Sequence, residues 1–207
     1  MVKTFYLMRH GQTRFNVQGR IQGACDSPLT DEGIEQAKAA RRYFEQEGIS
    51  FTRVYWSTQE RACDTAELAT GRVDYIRLKG IKEMDFGAYE AHEAHQEYLN
   101  PPVHHEDGSG YRDFFVGYGG ESTAQVYERM ERTIREVLEA SKEDETLLFV
   151  SHGGAIMQFY LHATKNPPAP KKRPANCAIF KITYDGKEMC VQSIYNPSMQ
   201  EYIFERD

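Results

Sequence analysis

Short apolar runs recur along the chain and have the length and composition of buried β-strands. They cover residues 3–8, 53–56, 73–78 and 146–150, and the segment 81–87 is interpreted as another strand that ends in a loop. The run 146–150 is apolar and short, which is typical of a parallel strand covered on both faces. The hydrophobic pattern thus predicts a buried sheet.

Between these runs the apolar positions follow a helical repeat. Helices are predicted to begin at Thr30, Ser57 and Ser122, whose side-chain oxygens can cap free backbone amides. Ser57 and Ser122 are each followed three residues later by Glu or Gln, the spacing of a capping box. These helices are expected to end near residues 48, 70 and 141, and a fourth covers 155–162.

The C-terminal part predicts a different arrangement, in which 175–184 and 187–195 form an antiparallel pair and 202–204 can add to it. Strands that alternate with helices before this point imply a mostly parallel sheet. The predicted fold is therefore three-layer α/β, with a mostly parallel central sheet, helices on both faces and a C-terminal antiparallel hairpin. The length of 207 residues favours a single domain, 1–207.

Two segments resist assignment to regular elements. Residues 9–29 form a long polar loop, and residues 88–120 are interpreted as an insertion or lid. The second segment contains aromatic residues among glycines, which either close over a substrate or pack the segment onto the domain: Tyr111, Phe114, Phe115 and Tyr118.

Composition narrows the class of protein. The net charge of −6 argues against a nucleic-acid or membrane surface, and no apolar segment is long enough to span a bilayer. The N-terminus runs directly into a strand, so we expect no signal peptide and a cytoplasmic location. The cysteines fit no zinc motif and are expected to be reduced thiols: Cys25, Cys63, Cys177 and Cys190.

The predicted hairpin also keeps two cysteines apart. If 185–186 are its two turn residues, Cys190 faces Lys181 and Cys177 faces Ile194. We therefore expect no disulfide between Cys177 and Cys190.

Charged groups suited to phosphate chemistry fall where predicted strands end or helices begin, and these are Arg9, His10, Arg61, Glu83 and His152. The ends of parallel strands meet at one edge of a sheet, where ligands bind. Guanidinium groups bind phosphate oxygens in pairs, and a neutral imidazole can attack phosphorus. A carboxylic acid can protonate the leaving alkoxide and then activate water. The set predicts phosphoryl transfer, with His10 as nucleophile and Arg9 holding the anion.

A metal site is the weaker interpretation. The set lacks the spacing of a metal cage. Residues 104–107, His-His-Glu-Asp, could bind a metal, but adjacent histidines in a Pro- and Gly-flanked loop more often form a solvated polar loop. We predict neither a metal nor a cofactor.

The motif Leu-Met-Arg-His-Gly-Gln-Thr at 7–13 resembles the RHG signature of the histidine phosphatase superfamily, also called the phosphoglycerate mutase-like family. The similarity continues, in order, at Asn16, 19–23, 26–30, 57–66, Glu83 with 86–87, 120–122 and 151–154. RHG alone would be a weak signal, but the ordered set spans nearly the whole chain and is highly specific.

The resemblance implies a role for each matched residue. His10 would be phosphorylated, and Glu83 would act as acid and then as base. Arg9, Arg61 and His152 would bind the phosphoryl group, while the contacts to phosphate or substrate would come from Asn16, Gln22 and Gly23. The family needs no metal, and its sheet is mostly parallel with helices on both sides.

The chain also departs from the family pattern. Many members have Trp-Glu-Gly where this chain has Tyr-Glu-Ala at 89–91, and the stretch between Glu83 and Gly120 is short for a mutase. We therefore expect a metal-independent phosphatase acting on a small phosphorylated metabolite.

Two alternatives stay open, a cofactor-dependent phosphoglycerate mutase and an inactive phosphatase-like binding domain. The second is expected to lack His10, Arg61 or His152, all of which are present. A homodimer through the C-terminal strands is also open.

Overall fold

A computed structural model describes residues 2–94 and 111–206 of the chain. Its strands are β1 (Lys3–Arg9), β2 (Arg53–Trp56), β3 (Ile76–Arg77), β4 (Leu147–Ser151), β5 (Ile179–Tyr184), β6 (Met189–Asn196) and β7 (Glu201–Glu205). Its α-helices are α1 (Arg14–Val17), α2 (Asp31–Gln46), α3 (Glu60–Thr70), α4 (Thr123–Ala140) and α5 (Gly153–Ala163).

The strands form a 7-stranded sheet in the order β3-β2-β4-β1-β5-β6-β7. The first four strands in this order run parallel, and β5, β6 and β7 add antiparallel pairings. The predicted α/β class with its C-terminal hairpin is confirmed. Arg9 of β1 pairs with Ser151 of β4, so the two histidines that follow them leave the sheet side by side.

Alternate residues of each central strand enter two separate cores. Phe5 and Leu7 of β1 pack in a cluster that includes apolar residues of α4 and α5. Tyr6 and Met8 face the other way and pack with α2 and α3. This period of two places one pair of helices on each face, which confirms the three layers.

Two of the predicted helix starts are confirmed. The hydroxyl of Thr30 accepts from the amide of Gly33, and Ser122 forms a reciprocal capping box with Gln125. The prediction for Ser57 is wrong, because α3 begins at residue 60 and its N-cap is Gln59. The Ser57 hydroxyl instead lies 2.7 Å from Nε2 of His152.

Two predicted strands are shorter or missing. Of 73–78, only Ile76–Arg77 pairs, with Tyr55 and Trp56 of β2. The strand predicted over 81–87 is wrong: a 3₁₀ turn at Lys79–Ile81 leads into irregular backbone. The guanidinium of Arg129 on α4 binds the carbonyls of residues 80, 82 and 83, so these groups pair with a side chain instead of a neighbouring strand.

The hairpin turn is longer than predicted. Asp185 and Glu188 close a turn in which the Asp185 carboxylate accepts the amides of residues 187 and 188. Cys190 therefore pairs with Thr183 rather than Lys181. A register shift between Lys181 and Ile182 adds a second difference, so Ile194 faces Phe180 and not Cys177.

All four cysteines are free. In the described parts of the chain, no helix is long and apolar enough to cross a bilayer.

The described residues of the two unassigned segments include a short helix and buried aromatic side chains. The polar loop 9–29 contains α1. On either side of the undescribed stretch, Tyr89 and Phe115 are buried and belong to the core of the α4 and α5 face, whereas Tyr118 is exposed. Residues 95–110, including the histidine pair at 104–105, lie outside the described residues.

Candidate active site

A cavity of about 410 Å³ opens where β1 and β4 end. The predicted site residues that line it are Arg9, His10, Asn16, Gln22 and Glu83. Its wall also contains two more arginines and several aromatic side chains, Arg20, Arg173, Phe86, Tyr111, Phe115 and Phe180. The remaining predicted residues, Arg61, His152 and Gly23, are buried behind this surface.

His10 is held by the backbone on both sides. Its amide donates to the carbonyl of Ser151 at 2.9 Å, and its carbonyl accepts from Cys177 and from the Asn176 side chain. Its Nδ1 lies 2.7 Å from the carbonyl of Gly11. Because a carbonyl can only accept, Nδ1 carries the hydrogen in the neutral ring and Nε2 carries the lone pair.

Burial lowers the pKa of His10 well below its ordinary 6.5, and the charges of Arg61 and Arg9 lower it further. The hydrogen bond to Gly11 opposes this shift without reversing it. The imidazole is therefore neutral near pH 7, which is the form that can act as a nucleophile.

His152 lies beside His10, with 5.2 Å between the ring centroids. It is fully buried at the N-cap of α5, and its Nε2 lies 2.7 Å from the hydroxyl of Ser57. Burial lowers its pKa well below 6.5, with further contributions from Arg61 and His10. The two rings therefore present a neutral pair rather than two cations.

Arg9 supplies positive charge at the cavity wall. Its Nε is buried and finds no hydrogen-bond partner among the described residues. Burial lowers the pKa of its guanidinium. The carboxylate of Glu83 raises this pKa, whereas the charges of Arg173 and Arg61 lower it, and the net shift is downward. A cluster of cations in a chain with net charge −6 is suited to an anion.

Arg61 is enclosed by the loop 22–26. Its guanidinium donates to the carbonyls of Gly23 and Cys25, each at 3.0 Å, and to the carboxylate of Asp26 at 2.8 Å. The Gln22 amide, oriented to satisfy all its neighbours, accepts from Arg61 Nε at 2.9 Å. Arg61 is fully buried, so its charge reaches the site through its effect on both histidines rather than from the cavity surface.

The three residues predicted to contact phosphate or substrate, Asn16, Gln22 and Gly23, differ in position. Asn16 and Gln22 reach the cavity wall, and the Asn16 side chain also accepts from the Thr13 amide at 3.1 Å. Gly23 contributes only its backbone, because a side chain there would meet the carbonyl of Met84 at 2.0 Å. Its carbonyl binds Arg61, so Gly23 acts on the site indirectly.

Glu83 is placed by a helix end rather than by a strand. Its carboxylate accepts from the amides of Gly154 at 2.8 Å and Ala155 at 2.7 Å, which are free donors in the first turn of α5. Gly154 allows this approach, since a Cβ there would lie 2.8 Å from the carboxylate. Glu83 is the only carboxylate on the cavity wall in the described part of the chain.

Glu90 holds the loop that encloses Arg61. Its carboxylate accepts the amides of Gly23, Ala24 and Cys25 at 2.7–3.0 Å and that of Phe86 at 2.9 Å. Burial raises the pKa of Glu90, but these hydrogen bonds outweigh burial and the net shift is downward. The same carboxylate and burial raise the pKa of the Cys25 thiol to about 11.

Sequence reasoning missed Ser57, Gln59, Glu90 and Arg173 as parts of the site. Ser57 was assigned to a capping box, and that spacing concealed its contact with His152. Arg173 lies in a proline-rich loop, where the run of cations at 171–173 was the available signal. Gln59 and Glu90 lie in segments that were compared with the family pattern, 57–66 and 89–91, but their bonding partners are far away in sequence and could not be read from it.

Comparison with known proteins gives consistent results. The family model described as "Histidine phosphatase superfamily (branch 1)" matches residues 5–197. The chain is 31% identical to a probable phosphoglycerate mutase, GpmB, of Proteus mirabilis, over 86% of this chain and 84% of that protein. It is 32% identical to a metal-independent phosphoserine phosphatase of Arabidopsis thaliana, over 82% of this chain and 72% of that one.

Among solved structures, one similar fold is that of an Entamoeba histolytica phosphoserine phosphatase in complex with 3-phosphoglyceric acid. The TM-score is 0.75 with 26% identity, over 93% of this chain and 96% of that chain. The matched region contains the predicted catalytic residues His10, His152, Arg9, Arg61 and Glu83. The chain belongs to branch 1 of the histidine phosphatase superfamily.

Proposed function

We propose that this protein is a metal-independent phosphatase that hydrolyses a small phosphomonoester through a phosphohistidine on His10. The observation that carries the proposal is the state of His10 itself. The ring is neutral, its Nδ1 is bonded to the Gly11 carbonyl, and it lines the cavity. Its Nε2 lone pair is therefore available to attack phosphorus.

The first step transfers the phosphoryl group to the enzyme. His10 Nε2 forms a bond to phosphorus while the ester P–O bond breaks, and Glu83 gives its proton to the leaving alkoxide. Charge that develops on the equatorial oxygens is stabilised by Arg9, whose buried Nε has no partner among the described residues. Arg61 and His152 support this arrangement from behind the cavity wall.

The second step reverses the roles. Water attacks the phosphorus of phosphohistidine and gives its proton to the Glu83 carboxylate, while the N–P bond breaks. Inorganic phosphate leaves and His10 returns to its neutral form. Glu83 is suited to both steps because it is the carboxylate on the cavity wall within the described residues.

The relatives support a small phosphorylated metabolite as substrate. Two of the similar proteins, from Arabidopsis thaliana and Entamoeba histolytica, are named as phosphoserine phosphatases. In this chain the cavity combines arginines with aromatic and aliphatic side chains, which fits a phosphate attached to a compact organic group. We also propose that residues 1–207 form a single domain. We expect neither a nucleic acid nor a membrane to be a partner.

The test is hydrolysis of p-nitrophenyl phosphate with EDTA present. We expect His10→Ala to lower kcat by about 10³-fold or more, because no other group replaces the nucleophile. His162→Ala is the matched control, since His162 is an exposed histidine at the far end of α5. We also expect wild type, but not His10→Ala, to yield acid-labile, base-stable protein-bound phosphate after rapid quenching.

Three results would contradict the proposal. Loss of wild-type activity in EDTA would indicate metal-dependent chemistry. Full activity of His10→Ala would exclude the proposed nucleophile. Absence of both turnover and trapped phosphate across a panel of phosphomonoesters would favour an inactive binding domain.

A phosphoglycerate mutase is the second candidate, because the Proteus mirabilis relative is named as a probable one. Such an enzyme returns the phosphoryl group from His10 to a substrate hydroxyl instead of to water. Phosphorus NMR of 3-phosphoglycerate with 2,3-bisphosphoglycerate distinguishes the two. A mutase produces 2-phosphoglycerate, whereas the proposed phosphatase releases inorganic phosphate.

A further inference from the structure

Gln59 occupies a helix start that it does not cap. It is the N-cap residue of α3, yet its side chain makes no capping hydrogen bond. Glutamine is not among the preferred N-cap residues. The side chain is 8% exposed, so a polar amide is buried at this position for another reason.

The partners of the Gln59 amide define its orientation. The backbone amide of Glu83 donates to Oε1 at 3.0 Å, and Nε2 donates to the carbonyl of Gly23. One partner is a donor and the other is an acceptor, so the oxygen and nitrogen cannot be exchanged. Gln59 therefore bridges the Glu83 segment and the loop that encloses Arg61.

Ser57 extends this bridge to His152. Its hydroxyl donates to Gln59 Oε1 at 3.1 Å. A hydroxyl has a single hydrogen, so Ser57 Oγ must accept from His152 Nε2, which lies 2.7 Å away. His152 is consequently held as the Nε2–H tautomer, and its buried Nδ1 has no partner among the described residues.

Three parts of the site thus share one amide. Oε1 receives the Ser57 hydroxyl and the Glu83 amide, and Nε2 binds the same Gly23 carbonyl that accepts from Arg61 Nη2 at 3.0 Å. The bonds to the Glu83 amide and to the Gly23 carbonyl connect segments that are separate along the chain. Removing the amide frees all of them together while leaving the strands intact.

We propose that Gln59, acting through Ser57, is a positioning residue that fixes the tautomer and orientation of His152 relative to Glu83 and Arg61. The inference rests on the proposed phosphatase function and deepens it. Gln59 is absent from the cavity wall in the described part of the chain, so we expect its effect on the reaction to be indirect. It is expected to appear in kcat more than in KM.

The kinetic test uses Gln59→Met, which keeps an unbranched side chain but loses both amide bonds. We expect kcat for p-nitrophenyl phosphate to fall about 10- to 100-fold, with KM changed by less than about 2-fold, since small errors in placement are costly to catalysis. Ser57→Ala is expected to have a similar effect, and Ser57→Thr, which keeps the hydroxyl, to recover most of the activity.

The double variant Ser57→Ala with Gln59→Met is informative because both residues act on His152 through one chain of bonds. We expect the kcat of the double variant to be close to that of the less active single variant. Independent effects would instead lower kcat by the product of the two fold-losses. Thr164→Val is the matched control. It removes one buried hydroxyl bond, to the Tyr160 carbonyl at 2.7 Å, at the far end of α5.

The spectroscopic test addresses His152 directly and needs no turnover. Two-bond ¹H–¹⁵N correlation spectra of the imidazoles are expected to show His152 of the wild type with Nε2 protonated and Nδ1 unprotonated. In Gln59→Met and Ser57→Ala this single tautomer is expected to be lost. In Thr164→Val it is expected to persist.

Two results would overturn the inference. One is a wild-type His152 protonated at Nδ1. The other is a Gln59→Met enzyme whose kcat matches that of Thr164→Val at equal thermal stability. Failure of the phosphatase proposal is distinguishable, because it would appear as a wild type with neither turnover nor phosphohistidine, while the tautomer remains measurable.

Discussion

The ends of β1 and β4 are constructed differently from the irregular segments 22–26 and 81–90. At the strand ends, Arg9 pairs with Ser151, and the amide of His10 donates to the Ser151 carbonyl. Strand pairing therefore sets the points at which the two histidines leave the sheet. The irregular segments are held by side chains that reach backbone groups from elsewhere in the chain: Gln59, Glu90 and Arg129.

This difference teaches which parts of the site are vulnerable to one substitution. A strand end is fixed by many equivalent backbone bonds, so no single side chain decides its position. An irregular segment depends on one carboxylate, amide or guanidinium that satisfies several backbone groups at once. Variants of the second kind are expected to change activity more than variants of similar burial in the sheet.

Among the variants that test this comparison, the largest loss in the free energy of unfolding is expected for Arg129→Met. Arg129 binds the carbonyls of Gly80, Lys82 and Glu83 at 2.8–2.9 Å and the carboxylate of Glu121 at 2.8 Å. Removing it takes the cation from the partly buried Glu121 carboxylate, which keeps the Asp85 amide as a donor, and leaves three backbone carbonyls without this partner. We expect a loss of about 3 kcal/mol in the free energy of unfolding. Urea denaturation measures this loss, and kcat for p-nitrophenyl phosphate is expected to fall with it because Glu83 is released.

Arg135→Met is the matched control, because Arg135 lies on the same helix and pairs with the more exposed Glu131. It is expected to cost about 1 kcal/mol or less and to leave kcat unchanged. Equal effects of the two arginine variants on kcat would contradict a special role for Arg129.

The Arg129 variant is also expected to change the pH dependence of stability. Burial raises the pKa of Glu121, but the hydrogen bond and charge of Arg129 outweigh burial, so the net shift is below 4.5. The folded state therefore binds fewer protons than the unfolded chain, and this contribution is present above pH 4.5 and is lost below it. The stability gap between wild type and Arg129→Met is expected to be constant near pH 7 and to narrow as the pH falls below 4.5.

The same distinction explains what the sequence could predict. Arg9, His10 and His152 lie at the ends of apolar strands, next to glycines. Such positions can be predicted from sequence, because the hydrophobic pattern shows where a strand ends. The Glu83 segment was assigned to a strand wrongly, since nothing near it indicates that Arg129 takes its carbonyls. Ser57 was assigned to a helix cap because local spacing cannot reveal a bond to a residue 95 positions away.

An intermediate loss in the free energy of unfolding is expected for Glu90→Gln. The substitution keeps the shape but replaces one acceptor oxygen by an NH₂ group that faces backbone amides. We expect a loss of about 1–3 kcal/mol in the free energy of unfolding. We also expect kcat/KM to fall about 10-fold, because the carbonyls of Gly23 and Cys25 that hold Arg61 shift with the loop.

Glu93→Gln is the control for Glu90, since Glu93 is exposed and its ion pair within residues 2–94 and 111–206 is a long one, 3.9 Å to Arg20. Thermal melts and steady-state kinetics of both variants separate the loop effect from the loss of one negative charge. A Glu90→Gln enzyme with wild-type kcat/KM would show that the loop does not need its carboxylate to hold Arg61.

The smallest effect is expected for Met8→Leu, one residue before Arg9 in β1. Met8 is fully buried between its partners Val150 of β4 and Ile179 of β5. The swap conserves volume and is expected to cost less than about 1.5 kcal/mol. Because the register of β1 with β4 and β5 is set by backbone bonds, kcat is expected to stay within about 2-fold of wild type. A 10-fold loss of kcat here, beside a tolerant Glu90→Gln, would reverse the comparison and make the strand end the sensitive part of the site.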